Sequence, residues 1–192
     1  QNVIWLHNGG ELDLVARGIS DALTTFRLED RFNILLFRDS VTPFHQEPVF
    51  ATPENIEAGR AFLDGLESKG QTDVYNALLP LAQMTPRQNL PGIVLLASDG
   101  VPTTGIRDSR SIINAITRDN ALRNSIFAYG AGNTVDRYLL DLLAYRNKGA
   151  AFVSNNIEDA RTDVAAFIGQ FATPILVNLG VTYGSAVQDD VY

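Results

Sequence analysis

Five short apolar runs alternate along this chain with stretches whose apolar residues recur every three or four positions, and that alternation restricts the fold more than any other feature. The runs lie at residues 2–6, 31–37, 93–97, 126–129 and 150–153. Each is rich in aliphatic or aromatic residues, as strands covered on both faces must be. Between them, Leu12, Val15, Ile19, Leu23 and Phe26 share one helical face, and so do Ile56, Phe62, Leu63 and Leu66. The same spacing recurs in Val74, Ala77, Leu78, Leu81 and Met84, and again in Ile112, Ile113 and Ile116. It returns in Val135, Leu139, Leu142 and Leu143, and in Ile157, Ala160, Val164, Phe167, Ile168 and Phe171. Strands separated by helices need crossover connections, which give a mostly parallel sheet with helices on both sides. Residues 41–44 and 47–50 carry Pro43 and Pro48, which cannot donate to a ladder, so they fit an antiparallel edge strand and a loop. The expected class is α/β, doubly wound: a mostly parallel six-stranded sheet with one antiparallel edge strand and helices on both faces.

Local signals punctuate this pattern. Thr52-Pro53-Glu54 reads as an N-cap, a first-turn proline and an acid at the positive end of the helix dipole. A helix is expected after Asp108, Thr134 is expected to cap the helix of Leu139, and Asn155-Asn156 to start the last one. Pro80 should kink its helix, and Gly70 should end the segment before it. After Thr173-Pro174 the run 175–183 is β-like and no helix follows it. We therefore expect one domain over 1–172, with 173–192 a β-like linker leading to a further domain. The chain starts on a strand pattern with no Met at position 1, as expected of a piece processed from a longer protein.

Composition narrows function mainly by exclusion. The net charge of −7 argues against nucleic acid, whose phosphates need Lys/Arg patches. No apolar stretch approaches the roughly 20 residues of a membrane span. With no cysteine, disulfides, thiolate metal sites and cysteine nucleophiles are all excluded. The two histidines, His7 and His45, have no Gly-x-Ser-x-Gly elbow to serve, and His45 in its proline-rich segment is expected to be exposed. Gly130-x-Gly132 lacks the third glycine of a dinucleotide loop, because Val135 stands there, and reads as a tight turn. Trp5 is expected in the core. No catalytic residue and no cofactor-binding loop is expected, so an enzyme of similar architecture is the least favoured class.

Ligands of doubly wound sheets bind beyond the carboxyl ends of the strands. Three loops should meet there: His7-Asn8-Gly9-Gly10-Glu11, Gly70-Gln71-Thr72-Asp73 and Ser98-Asp99-Gly100. With 95–103, the 31–34 strand and Tyr129-Gly130-Ala131-Gly132, these loops resemble those of a von Willebrand factor type A domain over roughly residues 2–172. Residues 171–176 running into Val181-Thr182-Tyr183 resemble inter-alpha-trypsin inhibitor heavy chains and their bacterial relatives. The resemblance implies an adhesion or protein-binding module that acts at this rim, on a protein or extracellular-matrix ligand. It also implies an extracellular, periplasmic or cell-surface location.

It further implies a cation site. Thr72 matches the threonine of the family's second metal loop and Asp99 the aspartate of its third. The family's first loop reads Asp-x-Ser-x-Ser, whereas here His7, Gly9 and Glu11 stand in those places. Gly9 offers no side-chain oxygen, and the imidazole of His7 offers a nitrogen that Mg²⁺ disfavours. Three arrangements remain open. In the first the site holds no ion and His7 pairs with Asp99 or Glu11. In the second, His7, Glu11, Thr72 and Asp99 form a rebuilt site for Zn²⁺ or Mn²⁺. In the third, Thr72, Asp99 and Glu11 hold Mg²⁺ or Ca²⁺ weakly. The expectation is an impaired site and recognition independent of Mg²⁺, with a structural spacer in a larger surface protein as the alternative.

Overall fold

A computed structural model describes residues 2–7, 12–37, 41–66, 74–85, 91–101 and 105–171. The parallel strands are β1 (Asn2–His7), β2 (Arg31–Phe37), β5 (Gly92–Ala97), β6 (Asn124–Ala131) and β7 (Ala151–Ser154), while β3 (Val41–Pro43) and β4 (Val49–Phe50) run antiparallel to β2. The order is β3-β2-β1-β5-β6-β7, with β4 paired to β2 outside that path, so the described residues form a seven-stranded sheet. The sequence led us to expect six strands. The difference arises at the proline-rich edge, where both short segments pair with β2 and the bends around Pro43 and Pro48 separate them.

The strand runs are apolar because both faces are covered. All six residues of β5 are buried, and they alternate between two cores. Ile93, Leu95 and Ala97 join Ile4, Leu6 and Tyr129 beneath α1 (Leu12–Leu23), α2 (Pro53–Asp64) and α6 (Ala160–Phe171). Val94 and Leu96 join Ile126 and Ala128 beneath α3 (Val74–Gln83), α4 (Ser109–Asn120) and α5 (Arg137–Arg146). The two-residue period of a strand produces this division.

Several boundaries differ from the sequence pattern. Phe26 lies beyond α1, after a turn closed by the N–H groups of Thr24 and Thr25, yet it is buried. Thr52 caps α2 as expected, accepting from the Asn55 N–H at 3.3 Å. That helix stops at Gly65, so Gly70, which lies outside the described residues, does not end it. Pro80 sits inside α3, and the helix continues through it to Gln83. Asn156 caps a single 3₁₀ turn (Ile157–Asp159), which leads into α6. The packing of α1 on α6 needs Gly18, where a Cβ would stand 2.3 Å from both the Arg161 carbonyl oxygen and Val164 Cγ1. The pair is clasped outside by Arg161 and Asp21, whose carboxyl is held below its ordinary value chiefly by the guanidinium hydrogen bond.

Candidate functional site

Parallel pairing puts the carboxyl ends of the central strands at one rim. In the β1–β5 register Leu6 stands opposite Ala97, so His7 and Ser98 each follow directly from a paired position. His7 is the last residue of β1 and lies across from Phe37 of β2. The backbone of His7 and the Asp99 loop are thus neighbours. Gly9, Glu11, Thr72 and the side chain of His7 lie outside the described residues. So does the side chain of Trp5.

The Asp99 loop is folded tightly on itself. The Ser98 N–H donates to the Tyr129 carbonyl at 2.9 Å, which fastens the loop to β6. The buried Ser98 hydroxyl oxygen accepts the Gly100 N–H at 3.0 Å, and Asp99 Oδ1 accepts the Val101 N–H at 3.1 Å. Gly100 has φ of 71°, a left-handed conformation that costs a glycine little. The carboxylate expected at a cation site in this loop, that of Asp99, therefore also satisfies a local amide. Among the described residues no three His, Asp or Glu side chains are grouped to hold a metal ion. By chemistry alone, His7 and Gly9 supply no side-chain oxygen, the donor that Mg²⁺ prefers.

In the neighbouring loop, from β6 into α5, the two glycines serve packing and the turn. Gly130 is needed for close packing: a Cβ there would come within 2.7 Å of Val135 Cγ1 and 3.3 Å of the Ser98 carbonyl oxygen. Gly132 has φ of 95° and makes the turn. The expected cap, Thr134, does not cap α5. Asp136 does, its Oδ1 accepting the Leu139 N–H at 2.9 Å. Two capping-competent residues stand two positions apart here, and helical spacing alone does not choose between them.

Beneath the rim lies a polar chain that the sequence pattern hid. The Tyr129 hydroxyl is 2.6 Å from Ser154 Oγ and 3.1 Å from the Ala160 carbonyl oxygen, and Ser154 Oγ donates to Asp163 Oδ2 at 2.6 Å. Burial pushes the Tyr129 phenol up to about 12; the Ser154 hydrogen bond opposes this and the charge of Asp163 adds to it. A phenol ionises more readily unfolded than folded under these conditions. Its contribution to stability is therefore complete below pH 10 and is lost as pH rises towards 12. Tyr129→Phe should cost about 1–2 kcal/mol at neutral pH and remove this part of the alkaline loss, read by denaturant melts at both pH values. An unchanged alkaline slope in the variant would contradict the assignment.

His45 is exposed, as its setting suggested, with its ring centroid 4.3 Å from that of Phe44. Its backbone is held by the Asn33 side chain, which donates to the His45 carbonyl at 2.7 Å and accepts its N–H at 3.1 Å.

The family profile of the von Willebrand factor type A domain matches residues 6–152, and the chain belongs to that family of protein-interaction and adhesion modules. Among curated proteins it is similar to human inter-alpha-trypsin inhibitor heavy chain H4, with 27% identity over 96% of this chain and 21% of that protein. The chain thus spans about a fifth of the length of such relatives. Among solved structures it resembles a von Willebrand factor type A protein from Catenulispora acidiphila, at a TM-score of 0.73, 13% identity, and coverage of 86% of this chain and 41% of that one. It also resembles proximal thread matrix protein 1 of the mussel byssus, solved with a zinc-occupied MIDAS motif (the metal-ion-dependent adhesion site), at a TM-score of 0.68 and 16% identity, covering 88% and 46%. At these identities the structural likenesses establish the fold. No helix among the described residues is long and apolar enough to cross a membrane.

Proposed function

We propose that this domain is a non-catalytic protein–protein or adhesion module that grips its partner at the carboxyl-end rim without needing Mg²⁺. The observation that carries the reading is the substitution of His7, Gly9 and Glu11 for Asp-x-Ser-x-Ser at the end of β1, next to the Asp99 loop. A type A rim normally offers a cation to an acidic residue of the partner. Here the first loop has lost both hydroxyl ligands, so the rim residues themselves, Asp99 with His7, Glu11 and Thr72, make the contact. The domain comprises residues 1–172, with 173–192 leading onward, and it works outside the cytoplasm, in keeping with its likeness to inter-alpha-trypsin inhibitor heavy chains. The partner is a protein or extracellular-matrix ligand.

Titration calorimetry should show no binding of Mg²⁺ at roughly micromolar concentration. Partner capture from source extract should survive EDTA and be lost in Asp99→Ala. Tight Mg²⁺ binding would overturn the reading. Capture that survives both Asp99→Ala and His7→Ala would move the working surface away from the rim and favour a spacer role. A second reading, a rebuilt Zn²⁺ or Mn²⁺ site of His7, Glu11, Thr72 and Asp99, is favoured by the place of His7 at the end of β1, next to β5 and its loop, because mixed nitrogen and oxygen donors suit those ions. The zinc in the adhesion site of the mussel protein supports it. Anomalous scattering from a zinc-soaked crystal separates the two readings.

A further inference from the structure

We propose that Asp136, held by Ser109, is a positioning residue for Asp99, so that the start of α5 sets where the aspartate loop stands on the rim. The inference rests on the reading of Asp99 as a rim contact and identifies what holds it there.

Hydrogen bonds of Asp136 tie together the Asp99 loop, α5 and α4. Its backbone N–H donates to the Asp99 carbonyl at 2.8 Å. Its Oδ1 accepts the Leu139 N–H at 2.9 Å, the ordinary work of an N-cap. Its Oδ2 accepts the Ser109 hydroxyl at 2.6 Å, across 27 residues. Capping needs only one of the two carboxylate oxygens. Ser109, the first residue of α4, is not needed to cap its own helix either, because Asp108 does so through the Ser111 N–H at 2.8 Å. The Ser109–Asp136 bond thus has no role inside either helix. Fixing both oxygens locks the side chain, and with it the direction of the amide that holds Asp99.

The loop has little freedom to move otherwise. Gly100 packs against the same residue, and a Cβ there would stand 3.4 Å from both the Asp136 carbonyl oxygen and Leu140 Cδ2. The Asp99 carboxylate is tied to the loop by the Val101 N–H. A shift of the Asp136 amide therefore carries the Asp99 backbone and carboxylate together. Three bonds join Ser109, Asp136, Asp99 and Val101 into one unit that spans α4, α5 and the rim.

The test follows amide hydrogen exchange and the Asp99 carboxyl ¹³C shift in the whole chain. In Ser109→Ala and Asp136→Ala, the Gly100 and Val101 amides should exchange about tenfold faster, the factor set by one hydrogen bond of ordinary strength. The Asp99 shift should move, while Leu95 and Leu96 of β5 keep their protection. Asp136→Asn, which can still cap and still pair with Ser109, should restore both readouts. Asp108→Ala removes a cap with no bond to the loop and should leave both unchanged. If Asp136→Ala does not fold, Ser109→Ala carries the test alone, since it removes a single hydroxyl. An equal effect in Asp108→Ala, or an undisturbed loop in Ser109→Ala, sinks the proposal. The rim reading is judged separately by partner capture with Asp99→Ala, so either can fail without the other.

Discussion

Gly149→Ala should destabilise the domain by about 3–4 kcal/mol, lowering its melting temperature by roughly 10 °C. The reason is a clash with backbone, which cannot rotate away. A Cβ at position 149 would stand 1.9 Å from the Ile126 carbonyl oxygen and 2.5 Å from the Ile126 carbonyl carbon. The segment is fixed on both sides: the Gly149 N–H donates to the Ala144 carbonyl at 3.0 Å, and the Asn147 and Ala150 carbonyls accept the N–H groups of Ile126 and Ala128, each at 3.0 Å. To admit a methyl group, the return from α5 must peel away from β6 and break those bonds. Gly169→Ala is the matched control, because nothing lies within 4 Å of a Cβ there, and it should leave stability unchanged or slightly raised. Thermal melts of the two variants check the claim. A loss below about 1 kcal/mol in Gly149→Ala would mean that the backbone relaxes at little cost.

Asn120→Asp should cost about 3–5 kcal/mol, although it changes hardly any volume. Asn120 is fully buried at the end of α4, opposite the rim. Its amide nitrogen donates to the Asn124 carbonyl and to Asn147 Oδ1, both at 2.8 Å. Its amide oxygen accepts the Asn124 N–H at 3.1 Å and the Asn124 side-chain amide at 3.2 Å. Asn147 continues the network to Thr117 and to the Leu143 carbonyl, and Asn124 continues it to the Met84 carbonyl. A carboxylate in place of the amide turns two donors into acceptors that face acceptors, and buries a charge. Burial raises the affinity of the introduced carboxyl for its proton, so the penalty should shrink as pH falls from 7 towards 5. Denaturant melts of parent and variant at the two pH values test this. A gap that does not narrow would mean that the carboxylate is hydrated or that the network has rearranged.

These two sites show what the sequence pattern can and cannot carry. The five parallel strands were legible because a strand covered on both faces must be apolar throughout, and the chain offers few such runs. The helices were legible from the recurrence of residues such as Ile112, Ile113 and Ile116. Their ends were less so: Phe26 belongs to the core but not to α1, and Asp136 rather than Thr134 begins α5. Capping depends on which side chain the preceding turn directs at the open amides, and nearby candidates compete for that place. At the candidate site, Asp99 was legible as a loop aspartate after a buried strand. The role of Asp136 was not, since its bond to Ser109 depends on how two helices pack. Tyr129 read only as the end of a strand run for the same reason. Its partners Ser154 and Asp163 arrive from β7 and α6, and no local spacing announces them.

The sheet's order also has a consequence for how the chain is made. Strand β1 pairs with β2 on one side, but its other side waits for β5, with Asn2 opposite Ile93. At ordinary ribosomal rates of roughly 5–20 residues per second, that interval lasts on the order of 5–20 seconds. For that time one flank of an apolar strand is synthesised and unsatisfied, with β2 its one sheet partner among the described residues. The central pairing closes a loop of some 90 residues, an entropic cost that no helix carries. Slowing translation after β2 should prolong the vulnerable period, and speeding it through α2 and α3 should shorten it. The central seam thus closes long after β1 has been made, although β5 is buried throughout once folded.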